Sequence, residues 1–315
     1  YEGTKAGPGI MVTGHDLLDL SDLLEQAAGE GVNVYTHGEM LPAHSYPKLC
    51  AHEHLAGHFG SAWQNQQIEF SQFSGPVIAT TNCVLIPWES YKDRLFTTRV
   101  TAVPGGTRLA SNDFSQVIAK AKECAPLPDR KVGESTIGFH HTAILGLANE
   151  IVAAVKDGKI KHFYLIGGCD GAEVGRNYFT KFAESTPDES VILTLGCGKF
   201  RVRDHDYGTV AGLPRLLDMG QCNDAYGAIQ VALGLANAFD CGVNDLPLTL
   251  VISWFEQKAV AVLLTLLALG VKGIRIGPEP PAFVSPNVFK ILQEKFDLKL
   301  TEAEPPQELF NLTTV

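Results

Sequence analysis

Four of the seven cysteines in this 315-residue sequence share one setting, because each follows a short apolar run with the composition of a β-strand. The runs are "IATTNC" ending at Cys83, "YLIGGC" at Cys169, "VILTLGC" at Cys197 and "RLLDMGQC" at Cys222. In doubly wound α/β sheets, ligands bind in a crevice at the carboxyl ends of the strands. Thiols that reach that edge from separate strands are therefore predicted to meet, and a metal centre explains them most simply.

Taken singly, each of these cysteines has an equally good structural explanation. Cysteine is a common core residue, and a glycine-rich turn accepts any small side chain. The recurrence of one setting at four places favours metal ligands over core residues. Cys50, Cys124 and Cys241 lie at the ends of amphipathic segments without this pattern, and they are predicted to be structural.

The spacing of the cysteines indicates which metal they would bind. Structural zinc sites use closely spaced pairs, which this set lacks, whereas thiolates in a reducing cell suit iron and sulfide. Harder donors could complete the shell, since His15 in "TGHDLLDL", Glu39 in "THGEM" and Glu256 in "ISWFEQKAV" also follow predicted strands. Each of them also has an ordinary explanation as a residue at the start of a helix, where carboxylates are favoured.

The segments that would position these residues alternate between strand-like and helix-like patterns. Strand-like runs include "GIMVTG", "VNVYTHGE", "GPVIATTN", "HFYLIGG", "SVILTLG", "PRLLDMG", "PLTLVIS" and "GIRIG". Helical patterns lie between them, among them residues 43–50 and one continuous helix over residues 142–158. Strands separated by helical segments predict mostly parallel sheets with helices on both faces.

This alternation stops and restarts once, which predicts two domains. Residues 113–134, "DFSQVIAKAKECAPLPDRKVGE", contain a cluster of prolines and charges and are predicted to be a linker. We therefore expect two doubly wound, Rossmann-like α/β domains, residues 1–136 and 137–315. The candidate ligands would divide between them, with His15, Glu39 and Cys83 in the first domain and Cys169, Cys197, Cys222 and Glu256 in the second.

Composition and charge narrow the function classes. The net charge of −10 and the absence of a basic stripe argue against a nucleic-acid partner. The longest apolar run, residues 259–271, is shorter than the roughly 20 residues of a transmembrane helix, so no membrane segment is expected. Seven widely spaced cysteines favour a reducing compartment, and the cytoplasm is expected. The start of the sequence, without methionine or signal pattern, is typical of a chain cut from a longer one.

Longer motifs across the chain resemble a known family. The motifs are "TGHDL", "VNVYTHGEMLPAHSYP", "WQNQQIEF", "TTNC", "GGCDG", "LTLGCGK", "GQCNDAY", "WFEQKAV" and "GVKGIRIGP". In this order and over essentially the whole chain, they are similar to the hybrid cluster proteins, also called prismane proteins or hydroxylamine reductases. Carbon monoxide dehydrogenases share that family's fold and a related cluster position, but the motifs match the hybrid cluster proteins better.

The resemblance implies a specific cofactor, a 4Fe-2S-2O cluster whose irons are bridged by sulfide and oxo groups and whose open edge admits substrate. By motif, its implied ligands are His15, Glu39, Cys83, Cys169, Cys197, Cys222 and Glu256. The family's "GGCDG" cysteine, here Cys169, can carry a persulfide sulfur. The two glycines before it are expected to leave room for a cluster to approach the backbone.

The resemblance also implies an activity, the reduction of hydroxylamine to ammonia and water or of nitric oxide to nitrous oxide. Both reactions consume protons, and Glu256 and Lys258 are expected to deliver them. Two residues apart on a helix, these side chains would not face one another, so the turn into the helix would have to bring them together. A solvated lysine is the alternative for Lys258.

The partners and the alternatives follow from the same family. The implied electron donor is an NADH-dependent iron–sulfur flavoprotein reductase. Family members also carry a second, conventional iron–sulfur cluster in an amino-terminal helical domain, whose closely spaced cysteines this sequence lacks, so that domain is expected to be absent. The alternative functions are an S-nitrosylase acting on partner thiols and, for the shortened chain, a non-catalytic fragment without the cluster.

Overall fold

A computed structural model describes residues 2–81, 83–169, 171, 176–254 and 257–312 of the chain. It divides into two compact units, Tyr1–Gly138 and Phe139–Val315. The boundary predicted from the sequence falls just before this division, between residues 136 and 137. The allocation of metal ligands to the two domains stays a prediction.

The first unit is built on an eight-stranded sheet with the spatial order β7-β6-β5-β2-β3-β4-β1-β8. Its strands are β1 (Glu2–Thr4), β2 (Gly9–Thr13), β3 (Asn33–Thr36), β4 (Leu55–His58), β5 (Val77–Ala79), β6 (Leu95–Thr97), β7 (Thr107–Arg108) and β8 (Arg130–Gly133). Within the described sheet only β8 runs antiparallel to its neighbour. The α-helices are α1 (Leu17–Ala27), α2 (Pro47–Cys50), α3 (Gln66–Gln72) and α4 (Ser115–Glu123).

The second unit contains a six-stranded, fully parallel sheet with the order β13-β10-β9-β14-β15-β16. Its strands are β9 (His162–Gly168), β10 (Ser190–Thr194), β13 (Leu216–Asp218), β14 (Leu248–Ser253), β15 (Arg275–Gly277) and β16 (Lys299–Leu300), beside a small ribbon of β11 (Thr209–Val210) and β12 (Leu213–Pro214). The α-helices are α5 (His141–Gly146), α6 (Ala148–Lys156), α7 (Tyr178–Glu184), α8 (Ala225–Ala238), α9 (Gln257–Ala268) and α10 (Pro286–Phe296). None of the helices in the described ranges is both long and apolar enough to cross a bilayer.

The two large sheets share one arrangement over six strands. In the first sheet, β3 and β4 follow β2 on one side and β5, β6 and β7 lie on the other, while β1 and β8 extend the sheet beyond β4. In the second sheet, β10 and β13 follow β9 on one side, and β14, β15 and β16 lie on the other. The order reverses between β2 and β5 in the first unit and between β9 and β14 in the second. Because crossovers leave in opposite directions at such a point, the carboxyl ends of these strands open a crevice. This topology confirms the predicted fold class of two doubly wound, Rossmann-like α/β domains.

Each sheet has helices on both faces, as alternating side chains on the strands require. In the first unit, Ile10 and Val12 pack in one core cluster with side chains of α1 and α4, whereas Met11 packs in another with Phe70 of α3. In the second, β9 contributes Phe163 to a core cluster that includes side chains of α6 and α8, and its neighbour Tyr164 packs in a cluster with aromatic residues of α7. The cores fix the strands, so residues just beyond the strand ends remain available for function.

The predicted linker over residues 113–134 is wrong. Residues 115–123 form α4, whose Val117, Ile118 and Ala121 are buried against the first sheet. Residues 130–133 then form β8, which pairs antiparallel with β1. The charges that suggested a linker lie on the exposed face of an amphipathic helix and along an edge strand, where charged side chains are ordinary.

Two predicted helices are also corrected. The helix expected over residues 142–158 is interrupted at Leu147, where α5 ends after Gly146 and α6 begins. Glycine weakens a helix because it loses the most backbone entropy on folding. The helix expected near residues 43–50 is a 3-10 helix, Gly38–Ser45, followed by the single turn of α2. The two are separated by Tyr46, whose extended conformation is the one favoured before a proline.

Candidate metal centre

His15 lies just past the end of β2, at the switch point of the first sheet. The turn that leads to it passes through Gly14, whose φ of +100° favours glycine. A Cβ on Gly14 would lie 2.5 Å from Thr80 Oγ1 and 2.8 Å from Thr81 Oγ1. The absence of a side chain at Gly14 therefore allows the turn after β2 to pack against the turn after β5.

The two threonines after β5 hold His15 in one orientation. The backbone N–H of His15 donates to Thr80 Oγ1 at 3.1 Å, and the Thr80 hydroxyl donates to the Thr13 carbonyl at 2.9 Å. The ring Nδ1 is hydrogen-bonded to Thr81 Oγ1 at 2.7 Å. Metal-bound histidines are usually held in this way, with one ring nitrogen on a hydrogen-bond partner and the other directed at the metal.

The other ring nitrogen of His15, Nε2, contacts the carboxylate of Glu39. Glu39 lies in the first turn of the 3-10 helix that follows β3, and both side chains are buried. The sequence separated these residues by a strand and a helix, and the parallel pairing of β2 with β3 brings them together. A buried imidazole and a buried carboxylate with their donor atoms at one point form a chemically suitable pair of hard metal ligands.

A second pair, of a buried histidine and a half-buried glutamate, supports the backbone next to Glu39. His37, which is fully buried, bonds through Nδ1 to Thr13 Oγ1 at 3.0 Å and through Nε2 to Glu69 Oε2 at 2.8 Å. The Ser61 hydroxyl donates to Glu69 Oε1 at 2.6 Å. Burial raises the pKa of Glu69, but the hydrogen bonds and charge from His37 and Ser61 outweigh burial and hold this pKa below its usual value. The ionised carboxylate thus anchors the turn that carries Glu39.

Cys83, the third predicted ligand of the first domain, lies in the loop after β5. This loop is held by Gln66, a buried residue at the start of α3. Its Nε2 donates to the Cys83 carbonyl at 2.7 Å, and its Oε1 accepts from the Leu85 N–H at 3.0 Å. One amide side chain therefore fixes the backbone on both sides of residue 84 and, with it, the loop of Cys83.

Cys169 follows directly after β9, and close packing gives the two glycines before it a reason that the sequence did not show. A Cβ on Gly167 would lie 2.9 Å from the Leu195 carbonyl oxygen, and one on Gly168 only 2.0 Å from the Ser253 carbonyl oxygen. The side-chain positions of these glycines are therefore occupied by the backbone that follows β10 and by the end of β14. That the glycines also leave room for a cluster stays a prediction.

Cys197 and Cys222 lie on the loops after the two strands on one side of β9. Cys197 is in the 3-10 helix Gly196–Arg201 after β10, and Cys222 begins the 3-10 helix after β13. The Gly168 N–H donates to the Leu195 carbonyl at 3.1 Å, and the Gly196 N–H donates to the Gly220 carbonyl at 3.1 Å. The backbones of the three cysteine loops are thus linked in series along one edge of the second sheet.

The remaining predicted residues lie at the end of β14. Glu256 falls outside the described residues. Lys258 is the second residue of α9 and is half-buried. A lysine is unfavourable in the first turn of a helix, because the helix dipole places positive potential there. Helix formation therefore gives no reason for a lysine at this position.

The supporting residues were not found in the sequence, although the ligands were proposed. Thr81, Gln66 and Lys199 all lie inside the quoted motifs, yet each is an ordinary polar residue whose partner is on another loop. The sequence feature that could have indicated them is a polar residue within a few positions of a candidate ligand, such as Thr81 in "TTNC" and Lys199 in "LTLGCGK". The ligand set and the roles of Glu256, Lys258 and Cys169 stay predictions.

Comparison with known proteins agrees with the motifs. Residues 2–306 match the family model of the prismane/CO dehydrogenase family. A hydroxylamine reductase of Moorella thermoacetica is 63% identical over 297 residues, which are 94% of this chain and 70% of that protein. A hydroxylamine reductase of Maridesulfovibrio salexigens is 57% identical over 94% of this chain and 56% of its own length. These identities confirm the resemblance to hybrid cluster proteins. The chain spans 70% of the length of the first of these relatives and little more than half of the second.

Solved structures with the same fold have much lower sequence identity. A nickel-free carbon monoxide dehydrogenase from Thermococcus sp. AM4 matches with a TM-score of 0.70 at 20% identity, over 98% of this chain and 57% of that one. Carbon monoxide dehydrogenase IV from Carboxydothermus hydrogenoformans matches with a TM-score of 0.70 at 16% identity, over 93% of this chain and 56% of that one. These two similarities show a shared fold. The family match over residues 2–306 establishes that the chain belongs to the prismane/CO dehydrogenase family.

Proposed function

We propose that the chain holds a 4Fe-2S-2O cluster and reduces small nitrogen oxides, with hydroxylamine as the substrate to test first. The observation that carries the proposal is the buried contact of His15 Nε2 with the Glu39 carboxylate beside the switch point of a doubly wound sheet. The identity of 63% with a hydroxylamine reductase supports the choice of substrate. More generally, family membership implies a metal–sulfur cluster.

The proposed ligands would combine hard and soft donors. His15, Glu39 and Glu256 supply nitrogen and oxygen, and the four thiols are those of Cys83, Cys169, Cys197 and Cys222. Thiolates would favour reduced iron and sulfide, whereas imidazole and carboxylate are harder donors that would bind iron more exchangeably. When bound, such a cluster supplies electrons and an open iron position for a nitrogen oxide. Cys169 is the thiol that we propose carries the additional sulfur.

The described residues contribute orientation and exclusion of water. Thr81 fixes the ring of His15 through Nδ1, which leaves Nε2 as the nitrogen directed at the metal. Ionised Glu69, through His37, restrains the turn that carries Glu39. Because His15, Glu39 and Cys197 are buried, solvent water would have little access to their donor atoms. Supporting hydrogen bonds of this kind commonly affect metal affinity by about 10–100-fold.

The reaction requires protons as well as electrons. Hydroxylamine takes up two electrons and two protons, its N–O bond breaks, and ammonia and water are released. We propose Glu256 and Lys258 as the groups that deliver these protons. Lys258 suits that role because it is half-buried in the first turn of α9, where helix stability gives no reason for a lysine.

Electrons must come from a partner. We propose a reductase of the NADH-dependent iron–sulfur flavoprotein type, with relay through a conventional iron–sulfur cluster carried outside these 315 residues. The relatives are longer than this chain, which leaves room in them for such a relay domain. Because thiolate ligation of iron requires reducing conditions, we propose the cytoplasm as the location.

Anaerobic reconstitution of the full-length protein tests this function. We expect about four irons per chain with fewer than four sulfides, a paramagnetic resonance signal from the reduced cluster, and turnover of hydroxylamine. Lys258→Met should retain iron and lose turnover if Lys258 delivers protons, whereas Glu256→Gln should lose turnover together with part of the iron, because Glu256 is also a proposed ligand. A content of one zinc per chain, or of no metal, would contradict the proposal that the chain holds an iron–sulfur–oxygen cluster. Nitrosylation of partner thiols without turnover of hydroxylamine or nitric oxide would favour the S-nitrosylase alternative.

A further inference from the structure

Lys199 is a fully buried lysine on the loop of Cys197. Its Nζ donates to both carboxylate oxygens of Asp218, at 2.6 and 2.9 Å, and to the Gly220 carbonyl at 2.8 Å. An ammonium group has three N–H donors, and these three acceptors match that number. Asp218 is also buried, and its Oδ1 accepts from the Gly220 N–H at 3.0 Å. The ion pair is therefore well satisfied and has little rotational freedom.

The pair joins two of the proposed ligand loops. Lys199 lies two residues after Cys197, on the loop that follows β10. Asp218 is the last residue of β13, and Gly220 lies two residues before Cys222. The Gly196 N–H bond to the Gly220 carbonyl runs beside the ion pair. The spacing of the two loops thus depends on one side chain that reaches from the first loop to the start of the second.

A buried ion pair is a poor choice if stability is the only requirement. Removing two charges from water is costly, and well-packed apolar residues at such a place are often as stable or more stable. The same two strands are already joined at their other ends by Arg215, which donates to carbonyls of Ser190, Tyr207 and Thr186. Arg215 and Lys199 are therefore two buried cations that join the same two strands, Arg215 where the strands begin and Lys199 where they end and lead to Cys197 and Cys222.

We propose that Lys199 is a positioning residue, which sets the spacing of the Cys197 and Cys222 loops for cluster binding. The role in cluster binding rests on the proposed function. The spacing of the two loops does not, because the contacts of Lys199 are present in the protein without a cluster. A directional three-acceptor contact fixes the relative position of two loops, whereas an apolar contact would permit them to slide.

The first test uses thiol reactivity in metal-free, full-length protein. Lys199→Met and the control Arg215→Met are treated with iodoacetamide under anaerobic conditions, and alkylation of each cysteine is followed by mass spectrometry. Cys197 is 5% exposed, so we expect slow alkylation in the parent. Lys199→Met should increase the rate at Cys197 at least about 10-fold and leave Cys50 unchanged, whereas Arg215→Met should change Cys197 less than about 2-fold. Equal increases in the two variants would overturn the proposal.

The second test measures iron and sulfide per chain after anaerobic reconstitution, with the resonance spectrum of the reduced protein. We expect Lys199→Met to retain less than half of the iron of the parent and Arg215→Met to retain nearly all of it. Equal retention would overturn the proposal. If the parent binds no iron, the proposed function fails, and the alkylation rates still decide whether Lys199 positions the loops.

A double variant keeps the proposal testable if Lys199→Met does not fold. Lys199→Met with Asp218→Leu removes both charges and leaves neither one buried alone, so it should restore folding. We expect this variant to show the same fast alkylation of Cys197 and the same loss of iron. Parental alkylation and parental iron content in the folded double variant would show that any apolar contact suffices, and would overturn the proposal.

Discussion

The two units share one strand order over six strands but place different donor atoms at the carboxyl ends of these strands. In Tyr1–Gly138, the ends of β2 and β3 lead to an imidazole and a carboxylate in contact. In Phe139–Val315, the ends of β9, β10 and β13 lead to three thiols on loops linked by backbone hydrogen bonds. Residues just past a strand contribute little to the sheet's core, so donors change without a change of fold. The fold therefore determines where donors lie, and the loops determine their chemistry.

The supports behind the donors differ as well. The first unit holds His15 and the loop of Cys83 with neutral groups, the hydroxyls of Thr80 and Thr81 and the amide of Gln66. It restrains the turn of Glu39 through His37 and the ionised carboxylate of Glu69. The second unit uses glycines that let backbones approach closely, together with the buried pair of Lys199 and Asp218. A clash with backbone atoms is relieved only if a strand moves, which breaks hydrogen bonds of the sheet, whereas loss of one neutral hydrogen bond costs about 1 kcal/mol. Substitutions in the second unit should therefore have the larger effects.

The largest effect is expected for Gly168→Ala. The added Cβ would lie 2.0 Å from the carbonyl oxygen of Ser253 in β14, and the φ of +108° is unfavourable for alanine. Neither strand can retreat without loss of sheet hydrogen bonds, so we expect a loss of about 4 kcal/mol or more in the free energy of unfolding. Urea denaturation with hydrogen exchange at β9 amides measures it.

Gly158→Ala is the control for Gly168→Ala in the same unit. Gly158 has a φ of +70°, and its added Cβ meets nothing within 4 Å. Gly158→Ala therefore measures only the loss in the free energy of unfolding that an alanine causes in the left-handed conformation, about 1–2 kcal/mol. A loss at Gly168 no larger than that at Gly158 would show that backbone conformation, and not close packing of strands, explains the glycine before Cys169.

Much of this architecture was predictable, because strands and their ends have local patterns. The run "GIMVTG" predicts β2 and "SVILTLG" predicts β10, since both are short apolar segments bounded by glycine. The region over residues 113–134 was mispredicted because the pairing of β8 with β1 joins segments more than a hundred residues apart. No local pattern encodes such a pairing.

The ligands and their supports differ in the same respect. Cys197 was proposed from its own position after a strand, whereas the contact of Lys199 with Asp218 exists only because β10 and β13 lie side by side. Gln66 likewise acts on a loop 17 residues further along the chain. The close packing around the glycines before Cys169 was not predicted, because the strands that crowd them belong to other parts of the sequence. Tertiary contacts, and not local spacing, supply this information.

The next largest effect is expected in the first unit, for Gln66→Leu. This change leaves the half-buried Cys83 carbonyl and Leu85 N–H without their amide partner. An unsatisfied buried polar group costs about 1–3 kcal/mol, and these two groups are half-buried, so we expect a loss of about 2 kcal/mol in the free energy of unfolding. Loss of protection of the Leu85 amide in hydrogen exchange should accompany it.

Gln67→Leu is the matched control. Gln67 donates to the Ile86 carbonyl of the same loop at 2.8 Å, but this bond is exposed to solvent. Water replaces an exposed hydrogen bond at little cost, so we expect a loss of about 0.5 kcal/mol or less. If Gln66→Leu and Gln67→Leu lower the free energy of unfolding by the same small amount, the two hydrogen bonds of the Gln66 amide do not hold the loop of Cys83.

A smaller effect is expected for Thr81→Val, which removes the hydroxyl on His15 Nδ1 with little change of shape. The ring would lose the contact that selects its orientation, and we expect about a 10-fold loss of iron affinity. Iron retained per chain during challenge with a chelator measures this loss. Thr81→Ser keeps the hydroxyl and should behave as the parent. Equal iron retention in all three proteins would contradict a role for Thr81 in orienting His15.

The smallest effect concerns acid, and here the two units should behave alike. Burial lowers the pKa of His44 in the first unit and of His162 in the second to about 4, and each ring is hydrogen-bonded to a threonine hydroxyl. In the unfolded chain, histidine has a pKa of about 6.5. Between these values the unfolded state binds more protons, so stability is full above about pH 6.5 and falls as the pH is lowered toward 4.

Glutamine variants test that similarity, because glutamine is polar but does not titrate. Allowing for partial exposure of the rings, we expect each histidine to account for about 1 kcal/mol of the stability lost between pH 7 and pH 5. His44→Gln should reduce the acid sensitivity of hydrogen exchange at β3 amides, and His162→Gln that at β9 amides. If one variant leaves the acid sensitivity of its own strand unchanged, burial of the neutral ring does not limit acid stability there, and the two units differ in this respect too.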